Sequence, residues 1–342
     1  MPIINIDDLN RFAIKYNPTL GELPYNEMDP ILTKLKIARL SEKETVKDVL
    51  FRRKGGQTRP YVKKVVGGTP DYINEIGKVS ETTLESFDCV LPFVDHIKNM
   101  QLKRVISNQP DSEIADNISK KHPLESFILS KVPITVSEDI LDSTFHAARN
   151  EADLSPMGLV DGFYTIVAKK IVSGEISQAK GNYYPTGAIT TSNAFTKLVQ
   201  FIRAANAQLR KKGYLYISPS SYFKAQDALT TELEKTTLIS DEQFLAYLKV
   251  KTQCNNLILL IDDILGSGDC WVFSTEYNLQ LNMNTAAASQ FIEVRKPFED
   301  PNYVQFWCQF GLGTRIFDVD QKVFMVNDQL NTGNDLAGDY RS

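Results

Sequence analysis

The chain has 342 residues, 42% hydrophobic and 23% charged, with 38 Lys+Arg against 42 Asp+Glu for a net charge of −4. That is enough apolar material for a sizeable core, in one large domain or two to three modest ones, and too much for a disordered chain. The mildly acidic balance argues against a dedicated DNA-coating protein, which carries a large basic excess, and suits a protein lying near nucleic acid without gripping it.

The opening Met1–Asp8 has no basic n-region and no long apolar stretch, so the expectation is a soluble protein made in the cytoplasm. The longest apolar run, Leu257–Ile261, is cut off by Asp262-Asp263 and is too short to span a bilayer. Residues 1–45 predict a helix over Ile6–Tyr16, then repeated punctuation at Asn17-Pro18 and Gly21-Glu22-Leu23-Pro24. A segment with so little periodicity builds no core alone. It reads as an extended arm over a neighbour or as a simple surface wrap.

From about Val46 the pattern becomes β-rich. Phe51–Pro60 leads into Tyr61–Val66 and the turn Gly67-Gly68-Thr69-Pro70, with further strand candidates over Tyr72–Val79 and Thr82–Phe93. Paired runs joined by Gly-rich turns predict a long hairpin whose tip projects from the body. It carries Arg52, Arg53, Lys54, Arg59, Lys63 and Lys64, with no acid between Leu50 and Pro70. The reading placed first is a protein–protein clamp seeking an acidic patch, because charge gives steering and register at interfaces. A nucleic-acid finger with Tyr61 for stacking comes second, and a plain charged hairpin is the bland alternative.

Residues 110–150 read as mainly helical. A stripe from Ile114 to Ile128 is interrupted at Pro123 and Pro133, and Ser137 caps a helix carrying Ile140, Leu141, Thr144, Phe145 and Ala148. Over 151–290 the pattern is a compact α/β stretch. Thr191 or Ser192 caps a helix whose inner face is Phe195, Leu198, Val199, Ile202, Ala205 and Leu209, with Lys211 and Lys212 at its end and Gly213 to stop it. A strand over Tyr214–Ile217 follows. Ser218-Pro219 then opens a helix through Leu229, since Pro suits the first helical position. A helix near Asp241–Val250 and strands over 257–261 and Cys270–Ser274 come next, and a strand within Phe298–Asp318 is entered through Pro301. The polar tail from Leu330 is expected to fray.

No constellation supports catalysis. Asp262-Asp263 after an apolar strand is the best lure, because such carboxylates hold Mg²⁺ in phosphoryl-transfer sites. The chain has no GxxxxGK[ST] cradle, and Gly266-Ser267-Gly268 is short and lacks a Lys, so a solvated turn is the better reading. There is no GxSxG elbow and no HExxH. Cys89, Cys254, Cys270 and Cys308 form no CxxC pair and read as buried reduced thiols in strands, while His96, His122 and His146 fall in unrelated segments.

Order and spacing together resemble the tailed-bacteriophage major capsid proteins of the Hong Kong 97-type fold. The residues that carry this are Asp161-Gly162-Phe163, Ala194–Gly213 with Tyr214–Leu229, Trp271–Leu281 (within it Phe273–Leu279), and Pro297–Phe324. The resemblance implies an α+β fold with an N-terminal arm over 1–45, an E-loop β-hairpin over 46–95, and a P-domain of spine helix plus sheet over 96–150 and 290–328. It also implies an A-domain over 151–289 and a flexible tail over 329–342. The implied function is a structural one, without catalytic residues, cofactor or metal. The chain would self-assemble as pentamers and hexamers into the icosahedral shell around the double-stranded DNA of a tailed phage or prophage, without specific DNA binding. Scaffolding, portal and decoration proteins are the implied partners. The virion capsid is the implied location, with assembly in the host bacterial cytoplasm and no membrane. Some members of the family crosslink a Lys to an Asn; Lys63 and Lys64 match by location only, and no crosslink is predicted. An encapsulin-like cargo shell is the alternative within the fold. A nucleic-acid-binding protein using residues 52–64 is the alternative outside it, and a phosphoryl-transfer enzyme on Asp262-Asp263 comes last.

Overall fold

The computed structural model describes residues 27–40, 45–53, 74–83, 85–86, 136–150, 156–158, 160–235, 238–284, 292–295, 305–308 and 311–330. Helix α1 (27–34) buries Met28 and Leu32, and Leu35 in the turn that follows, a single face at helical spacing. Lys36 takes a left-handed φ of 55°, which turns the chain into β1 (Ala38–Leu40). β2 (Thr45–Arg53) and β3 (Asn74–Thr83) pair antiparallel with a register shift between Leu50 and Arg52, and β4 (Glu85–Ser86) follows.

The predicted helices over Ile6–Tyr16 and through Ile114–Ile128 lie outside the described residues. Helix α2 (136–146) buries Val136, Ile140, Leu141 and Phe145. Ser137 sits within this helix rather than capping it, since Val136 is already helical. α3 (Phe163–Val172) starts where two backbones nearly touch. Gly162 donates its N–H to the Ala147 carbonyl at 2.7 Å, and a Cβ on Gly162 would lie 2.5 Å from the Phe145 carbonyl carbon. Only a glycine fits that approach.

After β5 (Tyr183–Tyr184), the long helix predicted up to Gly213 is two helices. α4 (Ala194–Ala204) ends at Ala205, whose ψ of 149° is extended, and α5 (Ala207–Lys211) restarts beyond it. The cause is Asn206, whose side chain accepts from the Gln208 N–H and caps the new helix. Asn193, rather than Thr191 or Ser192, occupies the first cap position. β6 (Tyr214–Ile217) and α6 (Pro219–Glu232) follow as expected, with Ser218 Oγ accepting from the Ser221 N–H and Pro219 at the first helical position. α7 (Asp241–Thr252), β7 (Ile258–Ile261) and β8 (Val272–Ser274) complete this run. The remaining strands are β9 (Leu279–Asn284), β10 (Ile292–Arg295), β11 (Gln305–Cys308), β12 (Gly311–Ile316) and β13 (Phe324–Asn327). The strand predicted inside Phe298–Asp318 is thus two: β11 pairs with β10, whereas β12 joins a larger sheet. Leu330, expected at the start of a fraying tail, is buried in the turn after β13.

Two sheets organise the interior. The five-stranded one runs β5-β13-β8-β6-β7, with β5 and β7 parallel to their neighbours and the inner pairs antiparallel. Its residues alternate between two apolar layers, as the two-residue period of a strand requires. Tyr214, Tyr216, Val272, Phe324 and Val326 face a core shared with α1, α2 and α3. Leu215, Ile217, Phe273 and Met325 face a second core under α4, α6 and α7. The four-stranded sheet runs β1-β9-β12-β4 and contributes Leu279, Leu281, Leu312 and Ile316 to the first core. β9, from within the 151–289 span, therefore hydrogen-bonds to β12 of the returning segment, and β13 of that segment pairs with β8.

Candidate assembly surfaces

Antiparallel pairing of β2 with β3 sets Arg52 opposite Glu75 and Arg53 opposite Asn74 at the far end of the ribbon. The ribbon is rooted in the body by β4, where Ser86 pairs with Gly311 and Glu85 with Leu312. Lys54, Arg59, Lys63 and Lys64 lie outside the described residues, and of the six cations Arg52 and Arg53 have a defined backbone register.

The segment before the ribbon is strapped to the body by polar contacts. Tyr216 donates its hydroxyl to the Leu35 carbonyl at 2.9 Å, and burial pushes that phenol well above its ordinary range. Lys34 pairs with Asp262 at 2.7 Å, and Lys36 and Lys212 both reach Glu276, at 3.5 and 3.0 Å. The hydrogen bond from Lys212 leads the effects that hold the Glu276 carboxyl below its ordinary value.

These straps account for the carboxylate pair that resembled a metal site. Asp262 accepts from the Ile264 N–H and caps a short turn, while its other oxygen takes Lys34. The Asp262 side chain is only 14% exposed and paired, whereas Asp263 beside it is exposed, so only the second carboxylate sits in the solvated turn that the sequence suggests. Among the described residues no group of three His, Cys, Asp or Glu could hold a metal ion. His146 packs against Tyr164 and Gly266, and desolvation lowers its pKa to about 4. Cys254 and Cys270 are buried free thiols, both raised by burial. They sit in the turn after α7 and just before β8 rather than in strands, because each connection is itself packed into a core. Cys89 lies outside the described residues.

Around the second core the helices are fixed by buried bonds. Trp271 donates its indole N–H to Ser221 at 2.7 Å, and Ser218 donates to the Gly268 carbonyl at 2.6 Å. Tyr222 donates to Asp241 at 2.8 Å, joining the start of α6 to the start of α7. The outer surface keeps apolar side chains in water: Phe223 is 56% exposed, and Val250 76%.

At the other end of α7 the chain forms a groove of about 490 Å³ lined by Ala207, Arg210, Lys211, Gln253, Asn255 and Asn256. Its walls are stitched together through backbone carbonyls. Cys254 donates its thiol to the Arg210 carbonyl at 2.7 Å, and Asn256 donates its amide to the Lys211 carbonyl at 3.0 Å. Gln253 takes a left-handed φ of 57°, turning the chain out of α7 into the groove wall. Sequence reasoning missed this groove. Lys211 reads as an ordinary helix-end cation, and the signal that could have found the site is the carboxamide run Gln253, Asn255 and Asn256, which faces a basic pair.

No protein-family model and no curated protein matches the sequence. Solved structures do match its fold. Against a chain of the satellite phage P4 procapsid, described as including size determination (Sid) protein, the TM-score is 0.51 at 9% identity, covering 89% of this chain and 90% of that one. Against a chain of the capsid of an empty GTA particle the TM-score is 0.50 at 11% identity, covering 86% and 88%. The protein has an α+β fold of the Hong Kong 97 type, as the resemblance of its sequence implied.

Proposed function

We propose that the chain is the major head subunit of a tailed phage or prophage and closes into an icosahedral shell of many copies. The observation that carries this reading is the extent of the fold match, about nine-tenths of both chains against a procapsid structure. A likeness confined to one common sheet would not cover so much of either chain. The physical design agrees. A shell subunit needs many modest interfaces repeated by symmetry, and an arm and a rooted ribbon reach over neighbours where a compact body does not. Contacts that are weak singly become stable by multiplication across a closed shell.

Within this reading 1–45 serves as the arm and 46–95 as the E-loop hairpin, and Arg52, Arg53, Lys54, Arg59, Lys63 and Lys64 grip a neighbouring copy. Residues 96–150 with 290–328 form the P-domain and 151–289 the A-domain, with β9 and β13 exchanged between their sheets. Scaffolding, portal and decoration proteins are its partners, and DNA is enclosed without sequence recognition. Sedimentation velocity of the purified chain over a range of concentrations tests the proposal. The expected result is one very large, homogeneous species above a threshold concentration. A monomer at every concentration that instead binds DNA with a steep salt dependence would overturn it.

A further inference from the structure

The groove at the end of α7 concentrates positive charge without neutralising it. Neither Arg210 nor Lys211 has a carboxylate partner among the described residues, and Arg210 Nε is buried with no hydrogen-bond acceptor. A buried, unanswered guanidinium N–H is costly, and a guanidinium beside an ammonium and three carboxamides is the donor set that takes a carboxylate. The opposite imbalance lies elsewhere on the same chain. Glu138, Asp139 and Asp142 share the outer side of α2, with the first and last exposed at helical spacing, and none of them has a cation partner among the described residues. Like charges so placed repel. The two patches cannot meet within one copy. α2 packs into the core on one side of the five-stranded sheet, and the groove, through Leu209, Cys254 and Leu257, belongs to the core on the other.

We propose that the groove lined by Arg210, Lys211, Gln253, Asn255 and Asn256 is a heterologous contact site that receives the α2 carboxylates of a second copy of this chain. This rests on the shell reading and names one contact by which the shell closes. Complementary patches on opposite sides of a subunit make a head-to-tail interface, and such interfaces generate rings. Charge supplies encounter rate and register in them.

The test uses the full-length protein, with circular dichroism to confirm that each variant is folded. Lys211→Glu, at an exposed position, and the double variant Arg210→Glu/Lys211→Glu should raise the concentration needed for assembly about tenfold or more. Adding Glu138→Lys and Asp142→Lys to the double variant should restore assembly. Carbodiimide treatment of wild-type particles should join Lys211 to an α2 carboxylate of another copy by an amide bond, and the same treatment of protein dissociated beforehand should form no such link. If wild type assembles and Lys211→Glu assembles equally well with no such crosslink, the inference falls and the shell reading stands. The inference also falls if the variants form normal shells that have lost bound nucleic acid, because the groove then faces phosphate. If wild type forms no shell, both fall together.

Discussion

The two sheets are built on different principles. The five-stranded sheet buries apolar side chains on both faces, with Leu215, Tyr216, Ile217, Phe273 and Phe324 all inaccessible to solvent. Three of its strands come from one continuous stretch of chain, 214–274. The four-stranded sheet collects its strands from 38–40, 85–86, 279–284 and 311–316, and polar groups are buried in and beside it. Asn278, Asn282, Thr314 and Arg315 are all buried there, and Arg315 Nε donates to Gln280 Oε1. Burial of apolar area is non-directional and tolerates some error in register, whereas buried hydrogen bonds are satisfied in one alignment only. The four-stranded sheet joins the 27–40 segment and the ribbon to the rest of the fold.

The difference can be broken by substitution. Trp271→Ala, in the apolar layer, removes a fully buried indole packed edge-on against Phe201 at 5.8 Å, together with its bond to Ser221. It should cost about 4 kcal/mol in urea unfolding, the largest effect on this surface of the sheet. Gly162→Ala presses a methyl group onto the backbone of Phe145 and should cost about 3 kcal/mol, since backbone on both sides leaves nothing to yield. Asn278→Ala tests the polar principle directly. Asn278 donates to Ser274 and to the Asp318 carbonyl and accepts from the Asp318 N–H, so its loss removes one buried side-chain bond and two part-buried backbone bonds. A cost of about 2 kcal/mol is expected, and a neutral result would show that these bonds add nothing to the alignment.

A smaller, pH-dependent effect belongs to Asp328. Burial pushes its carboxyl upward, but hydrogen bonds from Thr186, Gly187 and Gln329 outweigh this and hold its pKa below the ordinary value. A depressed carboxylate adds stability that is present above the unfolded-state pKa of about 4 and is lost as pH falls through the folded value. Thermal melts from neutral pH down to about pH 2 should therefore show a steeper loss of stability in wild type than in Asp328→Asn. Smallest of all, Lys212→Ala should leave stability nearly unchanged, because the Lys212 end of its pair with Glu276 is exposed and salt screens it. A measurable loss there would mean that the straps on the 27–40 segment act as a network.

What the sequence revealed follows the same division. Tyr214–Ile217, the Ser218-Pro219 cap and the Asp241 helix were legible because pattern, cap and turn residues act within a few positions of one another. The split of the helix at Ala205 was missed because both halves keep their apolar residues in phase, so Leu209 is buried either way. β1 and β4, three and two residues long, carry no periodicity at all, and partners more than 200 positions away decide them. Of the six hairpin cations, Arg52 and Arg53 fall at the end of β2, ahead of the strand expected over Tyr61–Val66, whereas the groove at Arg210 and Lys211 was invisible because its wall is made by a turn closing from 253–256. The acidic pair at 262–263 illustrates the reverse: a catalytic pattern by spacing that in space is a turn cap and a strap.

Electron microscopy of the purified protein above its assembly threshold tests the central claim most directly. The expected result is closed shells of uniform diameter, or rings of five and six copies on the way to them, with the ribbon lying across a neighbouring subunit. A preparation that stays monomeric and monodisperse would contradict it.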